Sequence, residues 1–171
     1  MLRSLIYKIK YLFSTLILSI KGASIGHNTK MHFPTVVSPN KLRIGERCYI
    51  GPSGSIYARG GVNIGDGTII GPRVIIHSSN HIFNSPSRMP YDHGYNHKAV
   101  SIGRGVWIGD SVIITPGAVI PDGCIIGAGS VVRGTLTPYA IYFGNPASLI
   151  KMRSDVDKCV ALVNYGEYYI K

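Results

Sequence analysis

The chain has 171 residues, 45% of them hydrophobic, which is enough for one substantial core and a single domain. Eighteen Lys and Arg against eight Asp and Glu leave a formal charge of +10, but the cations are spread singly and never interleave with aromatics, which argues against nucleic acid as the partner. Phosphorylated small molecules and anionic membrane surfaces remain as anionic partners.

Residues 2–20 come first. Leu2, Leu5, Ile6, Ile9, Leu12, Phe13, Leu16, Ile17 and Ile20 follow a helical rhythm, with Arg3, Lys8, Lys10 and Lys21 among or beside them. The apolar stretch is too short to span a bilayer, and no A-x-A-like cleavage site follows it. The spacing predicts an amphipathic helix within residues 1–22 that caps an open end of the following domain, and its basic flanks also permit peripheral contact with a membrane.

From Ile25 onward the apolar residues recur every six positions: Ile25, Met31 and Val37; Ile44, Ile50 and Ile56; Ile64, Ile70 and Ile76; then Ile102, Ile108, Ile114, Ile120, Ile126 and Val132. Neither a helix nor a simple alternating strand has that period, whereas short strands and turns stacked as a solenoid do. Four residues after each member of the last series stands a small or medium side chain, namely Val106, Val112, Ala118, Cys124, Ser130 and Leu136. Cys48 and Cys124 occupy this position after Ile44 and Ile120, so they read as reduced core residues. With Cys159 the chain has three cysteines and no even disulfide framework, which favours a cytoplasmic location.

The segment 77–99 is too polar and too rich in Pro, Gly, His and Asn to form a coil. A loop extruded from the stack at this length is the first place to look for chemistry. Beyond the repeats, Ser154 and Asp157 have the spacing of a capping box opening a short helix, with Val156, Val160 and Val163 on one side. The expected organisation is therefore a helix in 1–22, a solenoid over 23–153 with its loop at 77–99, and a helical tail over 154–171.

The string VSIGRGVWIGDSVIITPGAVIPDGCIIGAGSVV, followed by FGNPA, resembles the hexapeptide-repeat acyltransferases, and among them the sugar and polysaccharide acetyltransferases of the galactoside acetyltransferase type. The resemblance covers about residues 24–153. It implies an all-β, left-handed parallel β-helix, where the general rule for parallel crossovers would give right-handed turns. It also implies a homotrimer with active sites between subunits, acetyl-CoA as co-substrate, and a sugar or glycan acceptor.

In that family a histidine of the extruded loop faces the thioester, about seven residues before an arginine, which His81 and Arg88 match. An imidazole with an ordinary pKa near 6.5 can take the proton of an attacking hydroxyl without a covalent intermediate. His27 and His32 read as turn residues, His77 as part of a cleft wall, and His93 and His97 as solvated loop residues. His77, His81, His93 and His97 form two pairs four residues apart. The gamma carbonic anhydrases, related β-helices, bind zinc through three histidines, but their ligand spacing is missing here and no metal is expected.

By family position, Trp107 is expected near the thioester, Asp110 and Ala128 along the pantetheine arm, and Arg133 and Lys151 near the nucleotide phosphates. Asn80, Arg88, Tyr91 and Asp92 are the expected acceptor contacts. The position near Ser53, where galactoside-type relatives carry an Asn that binds sugar, departs from their pattern and turns the expectation toward cell-surface polysaccharide. O-acetylation in lipopolysaccharide or capsule synthesis is the leading reading. N-acetylation of a nucleotide-linked amino sugar, a zinc hydratase and a catalytically silent scaffold are the alternatives.

Overall fold

The computed structural model describes residues 2–32 and 34–171, with side chains from residue 11 onward. Helix α1 (Leu2–Ile20) packs against the first coil of a three-faced parallel β-solenoid. The part of the predicted apolar rhythm carried by Leu2, Leu5, Ile6 and Ile9 lies outside the described side chains.

The hexads wind as expected. One face stacks Ser24–Ile25, Leu42–Ile44, Val62–Ile64, Val100–Ile102 and Val119–Ile120. The second stacks Lys30–Met31, Tyr49–Ile50, Ile69–Ile70, Trp107–Ile108, Ile125–Ile126 and Ala140–Phe143, with Ser148–Met152 added antiparallel at its edge. The third stacks Thr35–Val37, Ser55–Tyr57, Ile75–His77, Ile113–Ile114 and Val131–Val132.

Because pairing is parallel and in register, the hexad residues stand over one another: Ile44, Ile64, Ile102 and Ile120 on one face, and Ile56, Ile76, Ile114 and Val132 on another. These side chains are almost fully buried, and each contributes about 1.5–3 kcal/mol through removal from water. The first coil departs from a strict six. Val36, not Val37, is paired with Ile56, so the step from Met31 is five residues and Val37 falls beside Tyr57.

In the hexads that begin on the first face, the second inward position closes the corner with the second face, where buried polar groups satisfy the backbone. The Thr68 hydroxyl donates to the Gly103 carbonyl at 2.8 Å and accepts the Val106 amide at 3.3 Å. Cys48 and Cys124 are buried free thiols at the same level of their coils, and desolvation raises the pKa of both, Cys48 to about 11.

Helix α2 (Val156–Asn164) is capped differently from the expectation. Asp155 is the N-cap, and its carboxylate accepts the Lys158 amide at 3.3 Å, the third-residue contact that Ser154 is one position too early to make. Beyond α2 the tail runs down the same corner as a strap. The Tyr168 ring covers Gly67, whose φ of +66 and lack of a Cβ leave room for it. The Arg47 guanidinium lies 5.0 Å from that ring and donates to the Gly166 carbonyl at 2.9 Å.

Candidate active site

The extruded segment begins from a pinned corner. Ser78 is fully buried; its hydroxyl donates to the Tyr57 carbonyl at 2.8 Å and accepts the Gly60 amide at 2.9 Å. Gly60 is required there, because a Cβ would overlap the Ser78 carbonyl oxygen. The Lys98 amide donates to that same carbonyl at 2.9 Å and closes the neck. The expected loop is therefore partly regular: Ser79–His81 pairs antiparallel with Tyr95–His97, setting His81 opposite Tyr95. His77, the first residue of the predicted loop, is still the last residue of a stacked strand.

The hairpin holds His81 between two aromatic rings. Tyr91 stacks on it with centroids 3.9 Å apart and planes at 23°, and Tyr95 lies tilted at 4.4 Å. The guanidinium of Arg59 sits over the Tyr95 ring at 4.3 Å, a geometry in which the ring quadrupole attracts a cation. His81 Nδ1 is buried and has no hydrogen-bond partner among the described residues. Buried polar atoms are seldom left unpaired, and those that are need an explanation such as a catalytic role or an absent partner.

His81 opens into a cleft of about 400 Å³ whose walls include Val37, Tyr57, Arg59, His77, Ser79, Asn80 and Tyr95. Tyr57 stacks flat on His77, with centroids 4.7 Å apart and planes at 2°. Burial pushes the His77 pKa below its ordinary value, so this ring is neutral at neutral pH. Its expected place in a cleft wall is the one it occupies. Tyr57 and Arg59 were not expected from sequence. Stacking was the available signal, since Tyr57 lies one coil beneath His77 in the register.

The other candidates divide. Asn80 lines the same cleft, and its side-chain oxygen accepts the His81 amide at 2.9 Å. Tyr91 is the stacking partner already described. Arg88 does not reach His81 through a hydrogen bond; its guanidinium meets His93 Nε2 at 2.7 Å. Asp92 is occupied within the hairpin, accepting the His93 amide at 2.6 Å and the Ser85 hydroxyl at 3.2 Å.

The coenzyme candidates lie elsewhere on the column. Trp107 projects from the second face, 56% exposed, into a separate cleft of about 580 Å³ shared with Ile69, Arg153, Leu162 and Tyr168. Asp110 and Ala128 occupy the corner between the second and third faces in adjacent coils, and the Gly129 amide donates to the Asp110 carbonyl at 2.8 Å. The Asp110 carboxylate pairs with Arg73 at 3.4 Å, both half-exposed. Arg133 is exposed after the last strand of the third face, and Lys151 is exposed in the antiparallel edge strand. Neither described cleft contains both His81 and Trp107. Among the described residues, no three His, Cys, Asp or Glu side chains gather as a metal site would require.

Comparison with known proteins agrees with the column. The chain is 37% identical over 97 residues to WbbJ of Escherichia coli K12, a protein named for lipopolysaccharide biosynthesis O-acetyl transfer, covering 53% of this chain and 50% of that one. It is 32% identical over 138 residues to the galactoside O-acetyltransferase of the same organism, covering 80% and 66% respectively. The chain thus spans between half and about two thirds of the length of these two relatives. A solved structure of AntD, an N-acyltransferase from Bacillus cereus, in complex with dTDP-4-amino-4,6-dideoxyglucose and coenzyme A, has the same fold: the TM-score is 0.70 at 24% identity, over 88% of this chain and 94% of that one. The bacterial transferase hexapeptide family (six repeats) matches residues 99–134, and the hexapeptide repeat of succinyl-transferase matches residues 41–76. The column on both sides of the hairpin carries that repeat, and the chain belongs to the hexapeptide-repeat transferases.

Proposed function

We propose that this protein is an acetyl-CoA-dependent O-acetyltransferase that modifies a sugar hydroxyl in cell-surface polysaccharide synthesis, with His81 as general base. The observation that carries the reading is the His81 ring, held by two tyrosines in the wall of a cleft, with one nitrogen buried and without a hydrogen-bond partner among the described residues. Neutral imidazole takes the acceptor hydroxyl proton as the hydroxyl oxygen attacks the acetyl carbonyl. The carbon–sulfur bond then breaks, and the imidazolium returns the proton to the leaving thiolate, so the enzyme ends unchanged. Asn80 and Arg59 supply polar contacts for a sugar at the cleft wall.

The same reading includes a homotrimer. His81 and Trp107 belong to different clefts of one column, so a neighbouring column is needed to bring the second face of one protomer to the hairpin of another. Asp110 and Ala128 would then border the pantetheine arm, with Arg133 and Lys151 beside the phosphates. The relatives named for lipopolysaccharide and galactoside O-acetylation support the acceptor class.

His81→Ala should lower turnover by about 10²- to 10⁴-fold while coenzyme A still binds; full activity in that variant would overturn the assignment. An amino acceptor would use the same base, and the amino-sugar complex of AntD keeps that second reading in view. Parallel assays of hydroxyl sugars and of nucleotide-linked amino sugars decide between them.

A further inference from the structure

The α1 end of the column carries a surface for which acetyl transfer has no use. Helix α1 has two opposed faces. Toward the first coil it buries Ser14 and Leu18, and Tyr11 meets His32 Nε2 at 2.9 Å. On the opposite side Leu12, Leu16 and Ile20, spaced four apart and therefore aligned on one stripe, are 72%, 57% and 76% exposed. No helix among the described residues is long and apolar enough to cross a membrane.

Charge is distributed as unevenly as exposure. No Asp or Glu precedes Glu46, whereas Arg3, Lys8, Lys10, Lys21, Lys30, Lys41 and Arg43 do, so seven of the ten net positive charges belong to the first 45 residues. Lys21, Lys30, Lys41 and Arg43 are exposed just after α1 and on the first two coils. The tail strap adds another cation to this end, because Lys171 borders the same recess as Tyr11, Leu12 and Lys30.

We propose that this end of the column docks on an anionic phospholipid surface, with α1 lying in the interface, its Leu12–Leu16–Ile20 stripe among the acyl chains and the surrounding cations among the headgroups. Charge complementarity selects this occupant over a second copy of the chain. Two such ends placed together would oppose two clusters of cations, with Glu46 as the one exposed acid of the first two coils against Lys21, Lys30, Lys41 and Arg43, whereas lipid phosphates neutralise the cluster. Docking of this end is independent of the identity of the transferred group or of the acceptor.

The test is flotation of the purified protein with vesicles of mixed phosphatidylglycerol and phosphatidylcholine, and with phosphatidylcholine alone. The protein is expected to float with the anionic vesicles only, and less at high salt. Lys21→Gln and Lys30→Gln should each weaken partitioning about fivefold. Leu12→Glu with Leu16→Glu should abolish it while leaving the thermal midpoint and coenzyme A binding unchanged. Absence of flotation, or flotation of the double variant equal to that of the parent, would overturn the proposal. So would sedimentation showing that the double variant splits a larger assembly of the parent protein, which would give the stripe to a second copy.

Discussion

The stacked coils and the extruded hairpin are built on different terms. In the coils the first and fifth positions of each hexad are buried from Ile102 to Leu136, and the coils stacked against them fix their packing. Between Ser79 and His97 no residue is fully buried. Order there comes from a short antiparallel ladder and from rings that hold one another, Tyr91 on His81 and Tyr95 beside it. Packing leaves the coil residues little choice of identity, while the hairpin residues are free to serve chemistry because the fold does not need them.

That contrast sets the expected consequences of substitution. His81→Ala should cost about 10²- to 10⁴-fold in turnover yet move the thermal midpoint little, since the ring lies outside the core; kinetics and thermal unfolding on one preparation check both. Ile114→Ala should do the reverse. Removing a fully buried side chain from the middle of the stack costs about 2–5 kcal/mol, read by denaturant unfolding, while the residual folded protein keeps its affinity for coenzyme A. A large loss of stability in the first variant, or of binding in the second, would break the division.

The buried thiols sharpen the comparison further. Cys48 has a folded pKa raised from 9.0 to about 11 by burial. The folded state therefore holds its proton where the unfolded chain has lost it, and stability present below pH 9 declines as pH rises through about 11. Titrating unfolding across that window should show the decline, and Cys48→Ala should flatten it. Thiol reagents at pH 8 should modify Cys159, which is half-exposed, before Cys48 or Cys124. The smallest effect belongs to Arg73 and Asp110, a half-exposed pair on the outer wall. Arg73→Ala should change stability by no more than about 1 kcal/mol.

The six-residue rhythm was enough to identify the column, because a solenoid writes the same packing demand into every coil. It failed locally where two apolar residues adjoin: Val37 keeps the six-residue step from Met31, yet its neighbour Val36 is the one that pairs with Ile56. His81, Asn80 and Tyr91 are close in sequence and come together in the hairpin. Tyr57 and Arg59 join them from an earlier coil, across a distance set by coil length rather than by any local motif. The course of the chain beyond the helix of the tail was not legible, for a similar reason. The place of Tyr168 depends on Gly67, a hundred residues earlier in the chain. Asp155 took the cap expected of Ser154 because the helix starts one residue later.

Transfer of labelled acetyl groups from acetyl-CoA to a panel of sugar and glycan acceptors, by the parent protein and by His81→Ala at matched coenzyme A occupancy, tests the central claim most directly. Label should appear as an alkali-labile ester on at least one acceptor with the parent protein, and at a rate lower by a factor of about a hundred or more with the variant. Equal rates from the two proteins would contradict the account.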